Sequence, residues 1–149
     1  MITALGACAI AALTGCTTPP VYKINAAAKS PDARNLTGNV ALDVRGTLVQ
    51  RGYPVVLDNP SGWFAPPVVN VDVTFDRRET ARLDVWRTYE GTAEAKVLDE
   101  GTLRGEKAFK ATGKRADTEI DAEAGVRKAL AAQLSAWLIE VLPPPGVAK

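Results

Sequence analysis

The side chains that most often perform catalysis are scarce in this chain. It contains no histidine, its only cysteines are Cys8 and Cys16, and none of its three serines lies in a Gly-x-Ser-x-Gly turn. Without histidine, Ser-His-Asp and Cys-His catalysis and the common zinc centres are excluded. The glycines are too scattered for a phosphate-binding loop. We therefore predict a non-enzymatic protein with no catalytic residues, no metal site and no cofactor.

Carboxylates are the remaining source of acid–base chemistry. Asp72 and Asp84 fall on two predicted strands that would be neighbours in a sheet, where the pair could face a cleft and hydrolyse a wall or glycan substrate. The alternative is that both are solvated residues paired with nearby arginines on an outer sheet face. We prefer this interpretation, and a carboxylate-based envelope hydrolase is an alternative function.

Three aromatic residues are possible partner contacts. Trp63 and Phe64 are adjacent in a loop dense in proline and glycine, and two neighbouring large aromatics cannot easily both point inward. An exposed aromatic on a loop is typical of a protein interface or of a contact with a membrane surface. The alternative is that the pair covers the open end of the core. Trp86 lies on the outer face of a predicted strand, or in the core if the register is reversed.

The N-terminal residues indicate a secretory signal. Residues 2–15 carry no charge, and the apolar run closes with Leu13-Thr14-Gly15-Cys16. About 20 apolar residues are needed to span a bilayer as a helix, so this run is too short and reads as a signal peptide with its cleavage site. No basic residue precedes Lys23, which predicts that translation starts further upstream. The alternative is a buried N-terminal helix.

The ending Leu13-Thr14-Gly15-Cys16 resembles the lipobox of bacterial lipoproteins. The resemblance implies cleavage before Cys16, acylation of that residue with palmitate or a related chain, and attachment to a membrane through it. Thr17, rather than Asp, follows the cysteine. In this family that implies the periplasmic face of the outer membrane.

Composition predicts one globular domain without a strongly charged surface. The chain has 149 residues, of which 18 are basic and 17 acidic. A net charge of +1 offers no single-sign field, so we expect charge to attract neither nucleic acid nor an anionic membrane. The predicted organisation is a signal peptide over 1–15, a lipidated tether over 16–20, one domain over 21–142 and a proline-rich tail over 143–149.

Hydrophobic periodicity predicts two helices and about five strands. The period is two over 69–75 and three to four over 36–51 and 118–142. Shorter patterns predict the remaining strands, at 21–24, 53–57, 83–97 and 103–111. The order β-α-β-β-β-β-α predicts an α+β two-layer sandwich, with both helices on one face of a mainly antiparallel sheet of four to five strands.

Smaller features predict where individual elements begin and end. Residues 26–32 are predicted as a loop and Asp99-Glu100-Gly101 as a turn. Asn35 or Thr37 can cap the first helix, and Thr118 can cap the second. The mostly apolar seam of the second helix is predicted at Ile120, Ala124, Arg127, Leu130, Leu134, Trp137, Leu138 and Val141.

The layout over residues 36–142 resembles small outer-membrane assembly lipoproteins, including the YajG-like type. In these a helix runs into a Gly-aromatic-x-Val strand, here Gly52-Tyr53-Pro54-Val55, before three longer strands. The resemblance implies a periplasm-facing domain that supports an envelope assembly. We expect a lipid-anchored accessory or assembly lipoprotein with an envelope protein partner. The alternatives are a component of a secretion, conjugation or transport machine, the hydrolase, and a carrier of an apolar ligand.

Overall fold

The fold is the α+β sandwich that the periodicity predicts. A computed structural model describes residues 18–146, so the predicted signal peptide, the predicted lipidation site Cys16 and the last three residues lie outside the described part. The elements occur in the predicted order, with a short 3-10 turn before the first helix. They are β1 (Val21–Ala28), α1 (Arg34–Gln50), β2 (Val55–Val56), β3 (Val68–Leu83), β4 (Trp86–Asp99), β5 (Thr102–Thr112) and α2 (Glu119–Val141).

The five strands form one mixed sheet in the order β2-β1-β3-β4-β5. The two longest pairings, β3 with β4 and β4 with β5, are antiparallel, whereas β1 is parallel to both β2 and β3. Because β2 and β3 flank β1 and run in its direction, the connection over residues 57–67 has to cross β1. This crossing brings the loop to the start of β1.

Alternation on the strands separates a buried face from an open face. On β3 the inward residues Val71, Val73 and Phe75 are no more than 1% exposed, while Asp72 and Thr74 are half-buried on the other face. Helix α1 buries a stripe at the four-residue spacing that the sequence shows, and α2 packs beside it. The stripe consists of Leu36, Val40, Val44 and Leu48. The predicted two-layer arrangement is confirmed.

A side chain caps the start of α2 but not the start of α1. The backbone N–H of Asp121 donates to Thr118 Oγ1 at 3.1 Å, so Thr118 caps α2 as predicted. Asn35 and Thr37 were predicted as alternative caps of α1, and this is wrong because both lie inside the helix. The turn over Pro31–Ala33 runs directly into α1, and the Thr37 hydroxyl donates back to the Ala33 carbonyl at 2.7 Å.

Several strand boundaries differ from the prediction: β3 is longer than the predicted 69–75, and β2 is shorter than the predicted 53–57. Residues 26–28 continue β1, although they were predicted to begin a loop, because their backbone pairs with 73–75 of β3. Leu83 ends β3 instead of opening the next strand, and the chain turns at Asp84 with a φ of 54°. Pairing with β3 extends β1, and pairing with β4 carries β3 on to Leu83.

The predicted apolar seam of α2 is wrong in its first turn. Ile120 was placed on the seam, but it is 82% exposed. The inward positions there are Ala122 and Glu123, both buried, and Glu123 pairs with Arg77 of β3. Farther along, Leu130, Leu134, Trp137 and Leu138 are buried as predicted.

Candidate functional site

The carboxylate pair considered from the sequence is not brought together. Asp72 lies in β3, where its Oδ1 accepts a hydrogen bond from Asn25 Nδ2 at 2.7 Å and its backbone is paired with Lys96. Asp84 lies beyond the far end of the same strand. At the rise of about 3.3 Å per residue in a strand, the two are roughly 35–40 Å apart. The geometry therefore contradicts this pair as a hydrolytic site.

The described part of the chain lacks two further features, a cluster of metal-ligating side chains and a membrane-spanning helix. Among residues 18–146, no group of three or more histidine, cysteine or acidic residues is arranged to hold a metal ion. Over the same residues, no helix is both long enough and apolar enough to cross a membrane.

The most buried polar cluster is centred on Arg77 and joins α2 to the sheet. Its guanidinium pairs with Glu119 at 2.8 Å and with Glu123, and its central carbon lies 4.3 Å from the centroid of the Tyr89 ring. Burial opposes the charged form, but the hydrogen bonds to both carboxylates outweigh it, so the pKa of Arg77 is raised. The cluster is an ionic contact between β3 and the start of α2.

Sequence reasoning missed this cluster, although a signal for it was present. Arg77 continues the inward series Val73 and Phe75 at the same two-residue period. An arginine at an inward position requires a buried acidic partner. The predicted helix seam omitted Glu123, which supplies that partner.

A second ionic cluster joins β3, β4 and β5 toward the C-terminal end of β3. Glu90 of β4 accepts from Arg78 of β3 at 2.8 Å and from Lys110 of β5 at 2.8 Å. The hydrogen bond from Lys110, together with the positive charge of Arg78, lowers the pKa of the Glu90 carboxyl. Both cations are mostly exposed, so the cluster also presents positive charge to solvent.

The loop over residues 57–67, here called the aromatic loop, carries two freely exposed aromatics. Trp63 is 101% exposed and Phe64 is 96% exposed. The sequence left exposure and coverage of the core as alternatives; both residues are exposed, so the interpretation that they cover the core is wrong. Leu57 is exposed as well, and Asp58 is the only charged residue of the loop. The aromatic loop is therefore an apolar, nearly uncharged surface.

The aromatic loop is joined to the point where the N-terminal residues enter the domain. The backbone N–H of Val21 donates to the carbonyl of Pro67 at 2.9 Å, and that of Tyr22 donates to the carbonyl of Pro54 at 2.9 Å. These bonds hold the last residue of the aromatic loop, and the residue before β2, against the start of β1. Cys16 precedes Val21 by five residues.

At the opposite end of the sheet the β3–β4 hairpin projects beyond the core, and its outer part, residues 78–86, is here called the arm. Every residue of the arm is exposed, whereas β3 alternates between inward and outward positions up to Arg77. The tip carries Leu83, Val85 and Trp86, which are 61%, 59% and 45% exposed. The tip is therefore a second apolar surface.

Trp86 is on this surface and not in the core, so the register in which it points inward is wrong. The guanidinium carbon of Arg115 lies 5.9 Å from the Trp86 ring centroid, and the backbone of Arg87 is paired with that of Ala116. These contacts brace the base of the tip on one side. The length of β3, 16 residues, places the tip about 50 Å from the end of the sheet that carries the aromatic loop.

The fold, but not the sequence, is similar to known proteins. No protein-family model matches the chain, and no curated protein sequence matches it. The minor lipoprotein of Acinetobacter baumannii superposes with a TM-score of 0.50 at 15% identity, over 78% of this chain and 91% of that one. Lipoprotein GNA1162 of Neisseria meningitidis gives 0.51 at 13% identity, over 82% and 99%.

A third similar structure is protein XCC0632 of Xanthomonas campestris, which carries the family-model name DUF330. Its TM-score is 0.51 at 11% identity, over 84% of this chain and 86% of that chain. At such identities the likeness extends to the fold alone. Two of these three proteins are lipoproteins by name.

Proposed function

We propose that this protein is a lipid-anchored, non-enzymatic accessory lipoprotein of the bacterial cell envelope. It is held through acylated Cys16 on the periplasmic face of the outer membrane. The uncharged run that closes with Leu13-Thr14-Gly15-Cys16 supports the anchor, because that cysteine stands only five residues before β1. The fold shared with lipoproteins of other bacteria supports the same class.

One observation carries the accessory role: the two exposed apolar surfaces lie at opposite ends of the sheet. The N-terminal residues enter at the end that carries Trp63 and Phe64, while the arm projects from the other end with Trp86 at its tip. An anchor at one end leaves the arm free for an envelope protein partner. Anchoring also raises the local concentration of the arm, which strengthens a weak contact without new interactions.

Metabolic labelling tests the anchor. Cells that express the protein from its own reading frame are fed an alkyne analogue of palmitate, and incorporation is compared between the wild type and Cys16→Ala. We expect the label in the wild type and none in Cys16→Ala. Cys8→Ala is the matched control, and it should retain the label because Cys8 lies in the predicted signal peptide. Equal labelling of the wild type and Cys16→Ala would contradict the proposal.

A further inference from the structure

We propose that the aromatic loop rests in the headgroup region of the membrane that carries the lipid anchor, with Trp63 and Phe64 as interfacial contacts. This inference rests on the proposed lipidation of Cys16. It adds a second attachment to the membrane and thereby fixes which end of the domain faces the lipid.

The short tether limits how far the start of β1 can lie from the membrane. Val21 stands five residues after Cys16, and a fully extended chain spans at most about 3.3–3.6 Å per residue, or roughly 17 Å in total. Acyl chains hold Cys16 at the bilayer surface, so the start of β1 stays within that distance of the surface. The hydrogen bond from Val21 to Pro67 keeps the end of the aromatic loop at the same place.

The side chains of the aromatic loop suit a membrane–water interface. Tryptophan is enriched at membrane–water interfaces, because its ring is largely apolar while its N–H can hydrogen-bond to the polar headgroups. Trp63 and Phe64 are fully exposed, and Asp58 is the only charge in the loop, so few charged groups resist transfer to the interface.

The backbone of the aromatic loop is conformationally restricted. Pro60, Pro66 and Pro67 restrict the chain on both sides of the aromatic pair. The backbone N–H of Ala65 donates to the carbonyl of Gly62 at 3.2 Å and closes a turn around the pair. A loop that is already restricted loses little conformational freedom on binding a surface. The aromatic pair is therefore held ready for the interface before the protein reaches it.

Site-specific fluorescence tests the inference with the lipidated protein. Ala65→Cys places a thiol beside the aromatic pair, and Val85→Cys places one at the tip of the arm. Both positions are exposed. Once the predicted signal is removed, Cys16 is the only other cysteine of the chain, and its thiol is acylated. Each variant is labelled with nitrobenzoxadiazole and reconstituted into phosphatidylethanolamine–phosphatidylglycerol vesicles that contain nitroxide-labelled lipid.

We expect the fluorescence emission of the label at position 65 to shift to shorter wavelength and to be quenched by the nitroxide lipid. The emission of the label at position 85 should change little. Adding Trp63→Ser and Phe64→Ser to the Ala65→Cys variant should abolish both effects while the melting temperature and the flotation with vesicles are kept.

The possible failures are distinguishable. Protein that does not float with vesicles overturns the lipid anchor and this inference together. Protein that floats while position 65 behaves like position 85 overturns the inference alone. A blue shift at position 65 without quenching by lipid also overturns it, because the loop would then be covered by protein.

Discussion

At the scale of single residues, the pairing of Arg77 with Glu123 decides how α2 meets the sheet. Arg77 and Glu123 are both nearly buried, and Tyr89 covers the guanidinium. Removing one member of a buried ion pair leaves the other charge without compensation, and this is more costly than replacing both. The cluster is thus a sensitive point of the fold.

We expect Arg77→Met to lower the free energy of unfolding by about 3–5 kcal/mol, because Glu123 would remain buried without its cation. Urea unfolding followed by circular dichroism measures the change. Arg82→Met is the matched control, since Arg82 is exposed on the arm, and it should change stability by less than about 0.5 kcal/mol. If the double variant Arg77→Met/Glu123→Met were no more stable than Arg77→Met, the explanation by an unpaired charge would fail.

Glu90 makes stability depend on pH in the acidic range. Its pKa is lowered in the folded protein from the usual value of 4.5, so the ion pairs with Lys110 and Arg78 contribute fully above pH 4.5. Their contribution is lost as the pH falls through the lower folded-state pKa. We expect Glu90→Gln to reduce the loss of stability on acidification below pH 4.5, as measured by thermal melts across a pH series.

The control for this prediction is Glu106→Gln, at an exposed position of β5. It should leave the acid dependence of the wild type in place. An acid dependence that is identical in Glu90→Gln and the wild type would rule out Glu90 as its source.

At the scale of elements, the close approach of both helices to the sheet depends on a missing side chain in β4. A Cβ at Gly91 would overlap Val126 of α2, and it would lie 3.0 Å from Leu130 and 3.2 Å from Leu36 of α1. Glycine at this position lets the helices pack together over the middle of the sheet. Packing of the two layers is therefore sensitive to a single methyl group.

We expect Gly91→Ala to destabilise the protein by about 1–3 kcal/mol through overpacking. Gly46→Ala is the control, because Gly46 lies inside α1 and a Cβ there meets no atom within 4 Å. That change should stabilise the helix by up to about 1 kcal/mol. Urea unfolding of both variants measures the two opposite effects. Equal stability of Gly91→Ala and the wild type would show that the helices adjust without cost.

At the scale of the whole molecule, the domain is polarised between the end where β1 begins and the arm. The arm adds no side chain to the core, since every residue from 78 to 86 is exposed. The arm thus carries exposed apolar side chains at its tip that lie outside the core. We propose that it contacts the envelope protein partner, and that the rest of the fold holds it away from the anchor.

We expect the double variant Leu83→Ser/Trp86→Ser to keep its melting temperature and its lipid label but to lose partner binding, because both side chains are exposed at the tip. The measurement is the yield of the main adduct formed in living cells by a photo-reactive residue at position 85. The control is Leu103→Ser, at an exposed position of β5. An unchanged adduct in the arm variant would exclude the tip as the contact.

The sequence by itself determined what depends on neighbours along the chain. Alternation in β3 predicted its buried face, Thr118 predicted the start of α2, and Glu100-Gly101 predicted the turn before β5, where both residues have positive φ. The absence of histidine, which excludes histidine-dependent catalysis, came from composition alone. The lipid anchor at Cys16 stays a prediction from sequence, because that residue lies outside the described part.

Only the tertiary structure decided what depends on pairing between distant segments. Local pattern could not extend β1 to Ala28, end β3 at Leu83 or separate Asp72 from Asp84, because partner strands supply or withhold the hydrogen bonds there. Nor could it place the aromatic loop beside the start of β1, since that follows from β2 and β3 flanking β1 in parallel. Parallel neighbours require a connection that crosses the strand between them. The crossing brings Trp63 and Phe64 to the end of the sheet where the N-terminal residues arrive.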